Sequence, residues 1–184
     1  MIKSGSLYYL THKNPHFRHN TYKKLGRIFM RNKFARKHLV SPASGDVISL
    51  NDLDEMNFHR VYGDGYALIP DSGIIYAPAD GVIADISENM RKITVRTLDG
   101  VMIVVRIGYG SGLPSEHIIP YVCVGDRVDS GQLIAMIDMS ALPPYARHSA
   151  MPVVITNVEK LKSYSVCGGG HLTGGKSIAM RYSL

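Results

Sequence analysis

From Ser41 onward the chain is a succession of short apolar runs broken by Gly and Asp, and no stretch sustains a 3.6-residue period beyond a turn or two. This pattern predicts strands at residues 46–50, 66–70, 73–76, 82–87, 92–97, 101–107, 132–138, 152–156 and 177–183. Asp64-Gly65, Asp80-Gly81 and Asp99-Gly100 mark turns, with further glycines at Gly45, Gly108, Gly125 and Gly131. Residues 51–55 and 140–147 are long enough only for single helical turns. Many short strands with recurrent tight turns predict an all-β domain, a compact antiparallel sandwich or barrel whose sheets close on each other to hide their edges.

The first forty residues read differently. Tyr22, Leu25, Ile28, Phe29 and Phe34 form an imperfect helical stripe among Lys23, Lys24, Arg27, Arg31, Lys33, Arg36 and Lys37. Residues 1–40 hold ten Lys/Arg and no Asp or Glu, so the remaining chain has eleven cations against fifteen anions and the net +6 belongs to the N-terminus. The expected organisation is a basic N-terminal extension over residues 1–37, helical or disordered, followed by a β domain over 38–184. Such an extension is either a solvated leader or, through residues 20–37, a contact with an anionic membrane surface. Aromatics interleave with its cations, but no nucleic-acid reading module follows, and no nucleic-acid partner is expected.

With 184 residues and 45% hydrophobic content, the chain fits one principal core. The best apolar run, residues 101–107, already carries Arg106 and is far below the roughly 20 residues of a spanning helix. Cys123 and Cys167 are too few for a disulfide scaffold and lack CxxC spacing, and no signal-peptide order opens the chain. The expectation is a reducing, cytoplasmic home, peripheral to the inner membrane face if the leader binds there, with no metal and no cofactor. His12, His16, His19 and His38 have no ligand spacing.

Two motifs attract chemistry. Gly170 to Ser177 matches the phosphate-cradling loop G-x-x-x-x-G-K-[ST] literally. That loop must open a helix, yet only seven residues follow Ser177 and they alternate like a last strand, so a glycine-rich turn is expected. His171 and Cys167 beside it are two ligands without partners, which is no metal site. The second feature is the hairpin around Leu98-Asp99-Gly100. A two-residue turn places Arg91 opposite or diagonal to Arg106, on a face shared with Ile93, Val95, Met102 and Val104. Like charges so opposed need an offset from solvent, from a carboxylate such as Asp64 or Glu116, or from a bound anion. A three-residue turn would put the two arginines on opposite faces.

Ser41-Pro42-Ala43-Ser44-Gly45, Gly63 to Pro70, Ala77-Pro78-Ala79-Asp80-Gly81, Gly125-Asp126-Arg127-Val128 and Met151 to Asn157 stand in an order and spacing that resemble the glucose-type enzyme IIA domain of the bacterial phosphoenolpyruvate-dependent sugar phosphotransferase system. The resemblance runs from about His38 to Arg181. It implies a β-sandwich or barrel with a shallow apolar depression. It implies partners too: the histidine-containing phosphocarrier protein, which gives a phosphoryl group, and the permease IIB domain, which receives it. The family's chemistry uses two histidines facing each other, one the phosphoryl acceptor in a V-H-x-G context. Here that context reads Val105-Arg106-Ile107-Gly108, and the supporting position reads Asn89-Met90-Arg91. A guanidinium stays protonated and offers no lone pair to phosphorus, so Arg106 is excluded as an acceptor. The family's acidic residue after the acceptor strand is also missing from Tyr109-Gly110-Ser111.

The resemblance therefore implies a degenerate, non-phosphorylatable binding or regulatory module of sugar transport, with no catalytic residue and with Arg91, Arg106, Asp64, Val104 and Ile93 as its anion- and partner-binding set. The alternative is a working phosphoryl carrier that uses another histidine, among His59, His117, His148 and His171.

Overall fold

The computed structural model describes residues 37–53, 62–109, 114–140, 142 and 149–184. Fourteen strands follow in chain order: β1 (Lys37–Val40), β2 (Gly45–Ile48), β3 (Asp64–Pro70), β4 (Ile74–Tyr76), β5 (Gly81–Ile86), β6 (Lys92–Thr97), β7 (Met102–Arg106), β8 (Ile118–Pro120), β9 (Arg127–Val128), β10 (Leu133–Ile137), β11 (Met151–Ile155), β12 (Ser163–Val166), β13 (Gly170–Leu172) and β14 (Ile178–Ser183). They build one eight-stranded sheet, ordered β13-β2-β3-β11-β7-β6-β5-β9, and two three-stranded sheets, β1-β14-β12 and β4-β10-β8. Every pairing is antiparallel. Among the described residues no sheet closes on itself, so the all-β expectation holds as a sandwich rather than a closed barrel.

The continuous apolar run of β11 explains its central place. All five residues are buried between β3 and β7, as expected of a strand covered on both faces. Val153 and Ile155 face the principal core with Ile93, Val95, Ile103 and Val105 from β6 and β7. Val154 faces the other way, into a smaller cluster with Leu50, Ala67 and Val104. Pro152 is tolerated in this strand because the ladder to β7 begins only at Val153.

All nine expected strands are present, with ends moved by at most two residues. The five additional strands are two to four residues long, too short to display a two-residue period, and β12 is exposed at every position. The first expected helical turn is a 3₁₀ turn at Leu50–Asp52, capped by Ser49 and Asp52. The second, residues 140–147, lies almost wholly outside the described residues. So do residues 1–36 of the basic extension. Lys37 already pairs with Tyr182 in β1. No helix among the described residues is long and apolar enough to cross a membrane.

Candidate functional site

The site begins with the hairpin of β6 and β7. Thr97 N donates to Val101 O at 3.0 Å and Gly100 N to Thr97 O at 2.9 Å, which closes a loop of three residues, Leu98 to Gly100. Gly100 takes the left-handed conformation at φ 82, where only glycine is free of a side-chain clash. Asp99 accepts from Thr97 and from the Lys37 ammonium, which fixes the turn ahead of the bulge glycine. The ladder therefore pairs Lys92 with Arg106, Ile93 with Val105, Thr94 with Val104, Val95 with Ile103 and Arg96 with Met102.

This register corrects the two-residue turn expected from Asp99-Gly100. Lys92, not Arg91, stands across from Arg106. Ile93 belongs to the other face, 1% exposed in the principal core, whereas Val104 shares Arg106's face and floors the smaller cluster. Asp64 is also displaced: it aligns through Ile155 with Ile103, the row that faces the principal core. Its carboxylate accepts from the Tyr164 hydroxyl and, at 2.8 Å, from Gly65 N. Glu116 lies exposed in a separate 3₁₀ turn. Among the described residues, no carboxylate lies within ion-pair distance of either arginine.

Arg91 reaches the same place by another route. It precedes β6, and its backbone carbonyl accepts from Ile107 N at 2.8 Å. Its Nη2 donates to Gly108 O at 2.5 Å and its Nε to Ile107 O at 3.5 Å, so the guanidinium folds over the end of β7. The turn that delivers it is tied by Ser87 and Asn89, with Met90 N donating to Ser87 O at 2.8 Å and Lys92 N to Ser87 Oγ at 3.0 Å. Met90 is left-handed at φ 55, an uncommon state for a residue with a side chain; the packing of that side chain against the principal core offsets the cost.

Arg106 is held by two rings. Its guanidinium carbon lies 4.6 Å from the centroid of Tyr62 and 5.4 Å from that of Tyr109, each contact worth roughly 0.5–1 kcal/mol. Two adjoining clefts meet at this side chain. A polar one of about 330 Å³ is lined by Ser87, Asn89, Arg91, Lys92, Arg106, Ile107 and Tyr109. A more apolar one of about 380 Å³ is lined by Tyr62, Lys92, Val104, Arg106, Val154 and Thr156. Lys92, Tyr62 and Tyr109 escaped the sequence reading; only the correct hairpin register would have found Lys92. The result is a cationic rim over buried apolar side chains, a charge arrangement that complements an anion or an acidic side chain.

No histidine lines either cleft among the described residues. His117 lies in the 3₁₀ turn before β8 and accepts through its backbone carbonyl from Asp138 N. His171 pairs with Asp71 at 2.7 Å on β13; that carboxylate raises its pKa above the ordinary value. His59 and His148 lie outside the described residues. The glycine-rich match at 170–177 is strand β13 followed by a turn at residues 173–177 into β14, so the expected turn is present without a helix. Its amides are spent internally: Gly174 N on Ser44 Oγ, Gly175 N on Ser41 O, and Lys176 and Ser177 N on Thr173 O.

Residues 37–161 match a protein family described as phosphoenolpyruvate-dependent sugar phosphotransferase system, EIIA 1. The chain is 31% identical over 133 residues to the glucose-specific EIIA component of Borreliella burgdorferi, covering 71% of this chain and 70% of that one. It is 32% identical over 141 residues to the N-acetylglucosamine-specific EIICBA component of Escherichia coli K12, covering 76% of this chain. The chain spans only 22% of the length of that protein, and 18–21% of three other EIICBA or EIIBCA relatives. Among solved structures, the glucose permease IIA of Mycoplasma capricolum shares the fold at a TM-score of 0.70 and 22% identity, over 79% of this chain and 96% of that one.

Proposed function

The chain belongs to the EIIA 1 family of the phosphoenolpyruvate-dependent sugar phosphotransferase system, and from that premise we propose that it is a non-transferring member, a module that docks on phosphotransferase partners without accepting phosphate. The observation that carries this reading is the occupancy of the site. Where the family's resemblance asks for two imidazoles facing each other, Arg106 stands at the end of β7 and Arg91 wraps over it. A guanidinium has no lone pair with which to attack phosphorus.

The docking surface is the rim of Tyr62, Lys92 and Arg106, with the buried Val104 and Val154 beneath it. Its partners are the histidine-containing phosphocarrier protein or a permease IIB domain, and the chain works on the cytoplasmic side, where both are met. A fixed positive charge at the acceptor position cannot cycle between a phosphorylated and an unphosphorylated form, so this chain's side of any interaction made here does not switch. Residues 20–37 supply a cationic contact for the inner membrane surface.

Titration of the full chain with purified phosphocarrier protein and with a IIB domain tests this reading. Saturable binding to at least one of them is expected. Absence of binding to both overturns it.

A further inference from the structure

Three cations share the polar cleft at the ends of β6 and β7. Lys92 stands directly opposite Arg106 in the ladder, and like charges so placed destabilise a sheet. Arg91 is fixed beside them by the carbonyls of Ile107 and Gly108. The one carboxylate the described residues bring to the group is Asp85, 2.8 Å from Lys92 and half exposed. Two positive charges remain after it is counted. The Arg106 guanidinium lies over the rings of Tyr62 and Tyr109, and no carboxylate among the described residues pairs with it. Ser87 Oγ donates to Asn89 Oδ1 at 2.8 Å, which leaves the Asn89 amide nitrogen as the donor these two residues add to the same lining.

We infer that this cleft binds a phosphoryl dianion, held by Arg106, Lys92 and Arg91, without forming a bond to it. A carboxylate would neutralise one of the two remaining charges, whereas a phosphoryl group neutralises both and presents the tetrahedral acceptors that a guanidinium fork matches. Among those described, the lining residues include no imidazole, thiol or carboxylate, and Ser87 Oγ already donates to Asn89 Oδ1 and accepts from Lys92 N, which favours holding the group over transferring it. The same chemistry could be presented by free phosphate or by a phosphohistidine on a partner. Only the second source rests on the docking reading above, and it would make the module a reader of its partner's phosphorylation state.

The test compares the full chain with Arg106→Gln and Lys92→Gln, by calorimetric titration with inorganic phosphate and by melting in phosphate against chloride at matched ionic strength. Saturable phosphate binding with a rise in Tm beyond that in chloride is expected for the unaltered chain, weakened about tenfold or more in each variant. If Arg106→Gln does not fold, Lys92→Gln, at a half-exposed position, decides alone. A phosphate response no greater than that of chloride, or one unchanged in the variants, overturns the inference. In a second arm, the phosphocarrier protein is titrated before and after phosphorylation by enzyme I. About tenfold preference for the phosphorylated form supports the protein-borne source, and equal affinity beside an intact phosphate response assigns the cleft to free phosphate. Docking without any phosphate response removes the cleft and keeps the docking reading; phosphate binding without docking does the reverse.

Discussion

Charge reversal by Arg106→Glu separates docking from folding in a single variant. On the folding side, the change loses two ring contacts, roughly 0.5–1 kcal/mol each. It also places a carboxylate directly opposite Lys92, where a cross-strand pair of opposite charges returns roughly 0.2–1 kcal/mol in place of a repulsion. The net cost is therefore within about 2 kcal/mol, a fall in Tm of under about 8 °C at this size. On the docking side, the partner's anionic group meets repulsion where it met attraction. Losing one desolvated charge pair costs about 2–5 kcal/mol, so affinity should fall at least about thirtyfold. The assay is calorimetric titration against the phosphocarrier protein or IIB domain, with melting curves on the same samples. Docking within about threefold of the unaltered chain, in a protein that melts normally, would refute the placement of Arg106 in the interface.

Other consequences follow from the same geometry. Ile93→Ala should cost about 2–5 kcal/mol in denaturant unfolding while leaving docking by the folded protein intact, because Ile93 faces the principal core and not the depression. Gly100→Ala should cost about 1–2 kcal/mol by urea titration, since it forces a side chain into the left-handed bulge position. Partial burial works to raise the Asp99 pKa, but the hydrogen bonds from Lys37 and Thr97 outweigh it and hold the carboxyl below its ordinary range. Its contribution is thus complete above the unfolded value and is lost as pH falls through the lower folded one; Asp99→Asn should flatten that acid limb of the urea midpoint. For His171 the sign is opposite: the Asp71 hydrogen bond raises its pKa, so its contribution is full below about pH 6.5 and disappears as pH rises through the folded value, an effect that His171→Gln should remove.

The strands were legible wherever an apolar run was long enough to alternate or to stay buried throughout, as in β6 and β11. What escaped was set by contacts distant in sequence. Asp99-Gly100 reads as a two-residue turn, yet Gly100 serves as the bulge residue of a three-residue loop whose aspartate is held by Lys37, 62 positions away. That single register difference moved Ile93 off the site and brought Lys92 onto it. Arg106 and Val104 share a face legibly in the sequence, because they lie two apart on one strand. The row of Asp64 is decided through β11, which no local pattern reveals, and nothing local joins Tyr62 to Arg106. Arg91 lines the cleft despite the wrong register, since its side chain reaches around the strand end to Gly108 O.

Docking without transfer means that the chain takes no phosphate from its own cascade. Incubation of the purified chain with phosphoenolpyruvate, enzyme I and the phosphocarrier protein, read by intact mass, tests it most directly. The predicted result is an unchanged mass while the carrier itself becomes phosphorylated. A stoichiometric gain of one phosphate, lost in mild acid, would contradict it and move the chemistry to a histidine away from Arg106.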